Sequence, residues 1–300
     1  MVYLLGLSSA FFYGLASVMQ HREAAAAPRE THLRLGLLTH LARRPMWAAG
    51  IAADAAAFVL QASALSHGPL VLVQPLLTAG LLFALGFAAV TARRRISRWE
   101  WIGCLALVGG LTLLLAAEAP SEGSLVVPFH RWMAATAMVA IACLLLVGWA
   151  RRSEGRQRPV LLAIAAGVTF AMTNAVLKST VDVLRTRGLL EVLDGWYPYA
   201  LIVVGLLGLL LVMSAFQAGP LELSLPALTV VEPVASTAVG LVLFRESIRA
   251  DPAALALEAG AGALVVFGVW VLGRSPAVTG SAAPEEGDSL PARNATETAR

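Results

Sequence analysis

The sequence predicts an all-α polytopic membrane protein with nine transmembrane helices, arranged as two inverted four-helix repeats that flank a central fifth helix. Of the 300 residues, 58% are hydrophobic and only 14% are charged, whereas soluble domains are about one quarter charged. The apolar residues form long runs, and an eleven-residue segment of the first half recurs in the second. Two cysteines are too few for a secreted fold built on disulfides. The expected solvent is therefore the bilayer.

Nine apolar runs of 18 to 24 residues match the length that crosses the hydrocarbon core, which is roughly 20 helical residues. Trp or Tyr stands at several of their ends, where the membrane interface favours aromatic rings. The predicted spans are Val2 to Gln20, Trp47 to Leu65, Leu70 to Thr91, Trp99 to Ala117, Trp132 to Trp149, Val160 to Val183, Tyr197 to Ala218, Leu221 to Phe244 and Ala253 to Leu272.

The distribution of arginine predicts the orientation. Three loops that share one face, together with the C-terminal tail, carry 16 arginines, whereas the opposite face carries five. Because cytoplasmic loops are enriched in basic residues, we expect a multi-pass protein of the inner or plasma membrane with its N-terminus outside and its C-terminus in the cytoplasm. These basic residues lie in short clusters between spans, so a nucleic-acid partner is not expected.

Two segments lie outside the predicted spans. The tail from Arg274 to Arg300 has little apolar surface to bury and is expected to be disordered. The loop from Glu23 to Pro45 predicts either a short interfacial helix or an ordinary basic loop. The helical alternative rests on four leucines that share one face, Leu33, Leu37, Leu38 and Leu41.

An internal repeat is the most informative pattern. Residues 68–78 match residues 219–229 at seven of eleven positions without a gap. Five crossings separate the matched third and eighth spans, so the two copies run in opposite directions. The simplest division is a first repeat at 1–118, a linking span at 132–149, a second, inverted repeat at 160–272, and the tail at 274–300. Such repeats are common in secondary transporters, whose substrate site lies near the midplane between them.

Two prolines occupy matching places in the copies, because Pro75 and Pro226 each lie one to two turns into their spans. A proline removes a backbone donor and frees a carbonyl, which the membrane tolerates only where protein or a water-filled cavity satisfies it. The pair predicts either helix breaks at a binding site or kinks that serve packing alone.

Polar residues inside the first repeat are candidates for a site, because charge at bilayer depth is costly without a partner or a cavity. Asp54 lies among alanines on the second span, and Gln61 follows two turns later. Gln74 stands beside Pro75 on the third span. For each, the alternative to substrate or ion binding is a hydrogen bond between packed helices.

The second repeat supplies further candidates. Asn174, Lys178 and Asp182 share one face of the sixth span at spacing i, i+4, i+8, so Lys178 can pair with Asp182, hold an anionic substrate or extend to the interface. Glu232 lies near the middle of the eighth span, where a carboxylate can carry a proton or ligate a hard cation. Asp54 and Glu232 are therefore the predicted metal ligands.

Signatures of enzymes do not occur: there is no HExxH sequence, glycine-rich phosphate loop, Walker lysine or nucleophile elbow. We therefore expect neither an enzyme nor a cofactor. The expected partners are the lipid bilayer, a small ion or small-molecule substrate and, in a homodimer, a second copy of the chain.

Short motifs in four spans carry a family resemblance: Gly6 to Phe11, Leu72 to Leu76, Ile102 to Cys104, and Val168 to Lys178. With nine spans and an outside N-terminus, residues 1–273 resemble the EamA-like drug/metabolite transporter superfamily, and within it the NIPA-like magnesium transporters. The resemblance implies magnesium transport, with an acidic residue and an asparagine in the second span. An ungapped alignment places that asparagine at Gln61, and Asp54 matches the acid with a short insertion.

The leading expectation is a carrier of Mg²⁺ or another divalent cation that works by alternating access, with its site between the second, third, sixth and eighth spans. One alternative is a proton- or exchange-coupled carrier of a small organic metabolite, in which Lys178 would hold an anionic group. Another is a non-transporting scaffold or accessory subunit, in which polar residues of different helices would meet in tight pairs.

Overall fold

The computed structural model describes residues 1–28, 30, 32–67, 76–77, 79–93, 95–117, 127–244 and 252–274. Within these ranges the secondary structure is helical and contains no strand. The helices are α1 (Val2–Ala25), α2 (Leu35–Leu41), α3 (Pro45–His67), α4 (Gly80–Thr91), α5 (Arg98–Ala117), α6 (Phe129–Arg152), α7 (Gln157–Arg187), α8 (Leu189–Asp194), α9 (Tyr197–Ala218), α10 (Leu221–Phe244) and α11 (Pro252–Gly273).

Five segments of the described chain are long and apolar enough to cross a membrane: α1, α6, residues Gln157–Thr180 of α7, α9 and α10. Helix α4 and residues Ala256–Leu272 of α11 are shorter apolar helices. These elements indicate an all-helical protein embedded in a membrane. The count of nine spans stays a prediction.

The helices pack in a branched arrangement. Helix α1 lies against α3 and α4, and α7 lies against α9, α10 and α6. Helices α5 and α11 pair extensively with each other. Smaller contacts join α4 to α5, α10 to α11, and α10 to both α1 and α4.

Small residues bring α5 and α11 into close contact. A Cβ atom on Gly268 would lie 2.6 Å from the backbone oxygen of Gly103, and one on Gly110 would lie 2.8 Å from that of Ala261. These contacts are seven residues apart on each helix and run in opposite order along the two helices. The pair is therefore an antiparallel packing in which small side chains let the backbones approach, as is common in membranes.

A short helix, α2, forms within the loop from Glu23 to Pro45. Its residues Leu37 and Leu41 are fully buried, and the helix contacts α9 and α1. Apolar residues four apart lie on one face of a helix, so packing against the bundle buries both. The loop thus contains a helix whose leucine face is covered by protein.

The helix break predicted at Pro226 is wrong, because α10 runs without interruption through Pro226 and Pro233. Each proline removes one backbone donor, so the carbonyls of Glu222 and Thr229 cannot receive the usual bond from four residues ahead. The 24-residue helix tolerates these losses because it packs along α7. Pro75 and Gln74 lie outside the described residues.

Candidate functional site

Tyr13 and Glu232 lie at the middle of two helices that can cross a membrane. Each is the twelfth of 24 residues, Tyr13 in α1 and Glu232 in α10. The carboxylates of Glu232 and of Asp54, on α3, both act electrostatically on the Tyr13 hydroxyl. Two carboxylates that are 178 positions apart in the sequence therefore both lie near enough to one tyrosine to affect it.

The Tyr13 hydroxyl is hydrogen-bonded by the side chains of Ser17 and Thr229. Each of those hydroxyls also donates to a carbonyl of its own helix, Ser17 Oγ to Tyr13 O at 2.9 Å and Thr229 Oγ1 to Leu225 O at 2.8 Å. Because their single protons are engaged in this way, either oxygen can accept the one proton of the Tyr13 hydroxyl, and both keep lone pairs that can face a ligand. We call Tyr13, Ser17, Asp54, Thr229 and Glu232 the Tyr13 cluster.

Asp54 is held by Gln20. Nε2 of Gln20 donates to Oδ2 of Asp54 at 2.5 Å, which joins α1 to α3. Gln20 is buried, whereas Asp54 is half-buried. Gly50, one turn before Asp54, makes room for this contact, since a Cβ atom there would lie 3.0 Å from Cγ of Gln20.

Glu232 has a matching amide partner. Nδ2 of Asn174, on α7, donates to Oε1 of Glu232 at 3.0 Å. Gly167 lies where α7 meets the same turn of α10, because a Cβ atom on it would be 3.2 Å from the backbone nitrogen of Glu232. The glycine therefore allows the close approach that places Asn174 beside the carboxylate.

A third glycine positions the tyrosine itself. A Cβ atom on Gly80, the first residue of α4, would lie 2.8 Å from Cδ1 of Tyr13 and 3.2 Å from the backbone oxygen of Ala10. The Tyr13 ring thus occupies space that a larger residue at position 80 would fill. This packing limits the rotation of the Tyr13 ring.

The remaining predicted residues lie around the cluster or outside it. Gln61 is half-buried two turns along α3 from Asp54. Lys178 is one turn beyond Asn174 on α7, and its ammonium lies 4.3 Å from the centroid of the Phe244 ring. The side chain of Asp182, its predicted partner, lies outside the described residues.

Pro226 does not lie in the Tyr13 cluster. It is buried and lines a small apolar cavity between α4, α5, α10 and α11, together with Leu81, Leu85 and Cys104. Glu222, in the first turn of α10, is the charged residue of that lining. This cavity therefore lies about two to three helical turns from Glu232 along α10.

The donor set of the Tyr13 cluster consists of two carboxylates and neutral oxygens. Within the described part of the chain, no three His, Cys, Asp or Glu side chains converge as a metal site. Mg²⁺ usually binds through one or two carboxylates and keeps several of its waters. The oxygen atoms of the cluster are of the type that hard cations prefer.

Sequence reasoning missed Tyr13 and Gln20 as site residues. Gln20 ends the first predicted span, and Tyr13 lies within its apolar run. The available signal was the position of Tyr13, since tyrosines of membrane helices are enriched at the interfaces and this one is at the centre of its helix.

Comparison with known proteins gives one informative match. No protein-family model matches the chain, and no solved structure matches it. An uncharacterized protein of Corynebacterium glutamicum is 30% identical over 252 residues, which cover 82% of this chain and 85% of that protein. The aligned region is long enough to include most of the helices described above. The chain therefore belongs to the same family as this corynebacterial protein.

Proposed function

We propose that the chain is a secondary transporter that carries Mg²⁺ or another divalent cation through the Tyr13 cluster. The observation that carries the proposal is the meeting of Asp54 and Glu232 around Tyr13, in the middle of apolar helices. Both carboxylates have amide partners, Gln20 and Asn174, and neither amide carries a charge. A carboxylate that is ionised at either position would therefore keep its charge for a cation.

Inverted repeats are part of the proposal, and the packing supports them. Helix α1 contacts α3 and α4, as α7 contacts α9 and α10; α4 contacts α5, as α10 contacts α11. A symmetry that exchanges α1 with α7, α3 with α9, α4 with α10 and α5 with α11 would map each of these contacts onto another. The same symmetry would map the α5–α11 and α4–α10 contacts onto themselves. These are the contacts expected if residues 1–118 and 160–272 are two copies of one unit.

A pair of matched residues supports the same relation. Gly80 and Val231 are 151 positions apart, as are the matched Gly68 and Gly219. Gly80 packs on Tyr13 of α1, and Val231 packs on Gly167 of α7. These two contacts are expected if the third and eighth predicted spans cross the first and sixth at equivalent places. The glycine belongs to the third span in one crossing and to the sixth span in the other.

The proposed mechanism is alternating access. The first repeat supplies Tyr13 and Asp54, and the second supplies Glu232 and Asn174, so the cargo would bind where the two units meet. Rocking of one unit against the other would open the cluster to each side in turn. In the empty state the amides of Gln20 and Asn174 hold the carboxylates in place, and a cation would replace these neutral donors. The arginine-rich loops would face the cytoplasm.

The second candidate is a proton- or exchange-coupled carrier of a small organic anion. The observation that favours it is Lys178, which is exposed one turn from Asn174 on the same face of α7. A carboxylate that exchanges a proton near a cationic side chain is suited to this chemistry. A non-transporting membrane protein would also pair its polar residues, as in Gln20 with Asp54, so flux is the discriminating observable.

The test is transport by the purified full chain in proteoliposomes. Uptake of Mg²⁺, Mn²⁺ and Co²⁺ is measured with a trapped indicator dye, and proton movement is measured in parallel with a pH-sensitive dye. Saturable uptake of a divalent cation that Asp54→Asn abolishes supports the cation carrier. Proton movement that depends on an added organic anion and on Lys178 supports the second candidate. Absence of both fluxes under every gradient would contradict both carriers and favour a non-transporting membrane protein.

A further inference from the structure

A second polar group of residues lies at the arginine-rich end of the bundle, where α9 ends. Gln217, near the end of α9, donates from Nε2 to the backbone oxygens of Ala27 at 3.1 Å and Pro28 at 2.9 Å. These bonds fix its amide, so Oε1 is the atom that faces Nδ1 of His32 at 2.9 Å. Because Oε1 can only accept, Nδ1 of His32 carries a proton.

The other ring nitrogen of His32 faces a basic environment. Nε2 of His32 and Nε of Arg158 are buried atoms without a hydrogen-bond partner among the described residues. Burial, followed by the charges of Arg158 and Arg151, lowers the pKa of His32 below its usual value, while the bond to Gln217 opposes this change. Two permanent cations and one imidazole therefore lie close together.

No acidic side chain is among the described groups that shift the pKa of His32. An ion pair joins Arg44 to Glu23 at 4.0 Å, and Glu30, two positions before His32, is exposed. Glu154, in the turn between α6 and α7, is exposed. Buried polar atoms normally have partners, so an orphaned imidazole nitrogen beside an orphaned guanidinium nitrogen indicates a missing ligand that is negatively charged.

We infer that His32, Arg151 and Arg158 bind a phosphate group, supplied by an anionic lipid headgroup or by free phosphate. The two arginines would donate to its oxygens, and His32 would take up a proton on Nε2 and donate as well. The start of α7 contributes to the same site. Arg158 is the second residue of that helix, whose N-cap residue Arg156 makes no side-chain cap bond, and helix N-termini favour anions.

The location suits a lipid headgroup. Gln217 is the second-last residue of a helix long and apolar enough to cross a membrane, and Arg151 is the second-last residue of another. Basic residues at such helix ends lie at the level of the phosphates of anionic lipids. The bound group would connect the segment after α1, the turn before α7 and the end of α9. This inference does not depend on transport.

The test is binding by the purified full chain in a neutral detergent, measured by native mass spectrometry and by thermal unfolding. The probes are phosphatidylglycerol, diacylglycerol with the same acyl chains, and inorganic phosphate. Binding of phosphatidylglycerol but not of diacylglycerol or free phosphate assigns a lipid headgroup. Stabilisation by inorganic phosphate assigns free phosphate as a ligand. If neither phosphate-containing probe binds better than diacylglycerol, the inference is overturned.

Neighbouring arginines provide a matched control. Arg151→Gln and Arg158→Gln should each weaken binding of the phosphate probe roughly tenfold, the effect of losing one charge-assisted hydrogen bond. Arg152→Gln removes the same charge from the next residue of α6, which points about 100° away around the helix. It should change the affinity less than twofold. Equal losses for Arg151→Gln and Arg152→Gln would show a diffuse basic surface and overturn the site.

A pH measurement examines the role of His32. The phosphodiester of phosphatidylglycerol does not titrate near neutrality, so proton uptake on binding reports the protein. The wild-type affinity should fall as the pH rises from about 5 to about 8, because the bound state holds one more proton. His32→Gln should remove this dependence. A pH profile that is the same in both proteins would contradict the assignment of His32.

Discussion

Nδ2 of Asn174 donates a 3.0 Å hydrogen bond to Oε1 of Glu232 and joins α7 to α10 at the centre of α10. Gln20 donates to Asp54 in the same manner and joins α1 to α3. Each half of the chain thus contains a carboxylate held by a carboxamide on an adjacent helix. Neutral donors orient the carboxylates without cancelling their charge, which is the state that a cation carrier needs before its cargo binds.

Asn174→Leu should lower cation uptake by about tenfold or more. The change removes the donor to Glu232, and a hydrogen bond to a charged group contributes about 1.5–3 kcal/mol. Uptake in proteoliposomes and thermal unfolding are measured together, so that a folding defect is recognised. Thr173→Val is the matched control, since the Thr173 hydroxyl donates within its own helix to Thr169 O at 3.1 Å. Uptake by Asn174→Leu at the wild-type rate would show that the Asn174–Glu232 hydrogen bond is not needed for transport.

Tyr13→Phe should lower uptake about 2- to 10-fold, the range expected for one neutral hydrogen bond. The ring keeps its packing against Gly80, and only the hydroxyl that both carboxylates affect is lost. The concentration dependence of uptake separates an effect on affinity from one on rate. Tyr3→Phe is the control, because Tyr3 is 60% exposed. If both variants transport like the wild type, the Tyr13 hydroxyl does not contact the cargo.

Gly110→Ala should destabilise the protein, whereas Gly109→Ala should not. Alanine is more favourable than glycine in a helix by about 1 kcal/mol at both positions. At Gly110 the added Cβ atom would lie 2.8 Å from the backbone of α11, whereas at Gly109 nothing lies within 4 Å. Overpacking of this kind costs about 1–3 kcal/mol. Denaturation midpoints of the two variants are compared, and equal midpoints would contradict the α5–α11 packing.

His32 should make the protein less stable at acidic pH when no anion is bound. Its pKa is lowered in the folded state by burial and by Arg158 and Arg151, so the unfolded chain binds the proton more readily. The stabilisation is present above about pH 6.5 and is lost as the pH falls towards the folded-state pKa. Melting temperatures of wild type and His32→Gln are compared from about pH 8 to pH 5. Parallel curves would show that His32 makes no such contribution.

Sequence reasoning identified the carboxylates because intramembrane charge is rare and therefore conspicuous. Asp54 and Glu232 stood out in this way, and Asn174 stood out by sharing a helix face with Lys178. In the structure both carboxylates affect Tyr13, and Asn174 donates to Glu232. Tyr13 did not stand out, because an aromatic residue in an apolar run has no pattern of its own. Its role depends on contacts with α3 and α10, which are distant in the sequence.

The prolines show a second limit of the sequence. A proline removes one backbone bond with certainty, but whether a helix breaks depends on what else holds it. The packing of α10 along α7 keeps α10 continuous through Pro226. In the same way, spacing showed that Lys178 can pair with Asp182, which stays a prediction, and it gave no sign of the contact with the Phe244 ring that follows from how α7 and α10 pack.

The most direct test of the proposed function is Mg²⁺ uptake into proteoliposomes by three proteins: wild type, Glu232→Gln and Glu191→Gln. Glu232→Gln removes the charge at the centre of α10, and Glu191→Gln removes one from an exposed position on α8. The account predicts saturable uptake by wild type and Glu191→Gln, and loss of uptake by Glu232→Gln with an unchanged melting temperature. Uptake by Glu232→Gln at the wild-type rate would show that the Tyr13 cluster is not the path of the cation.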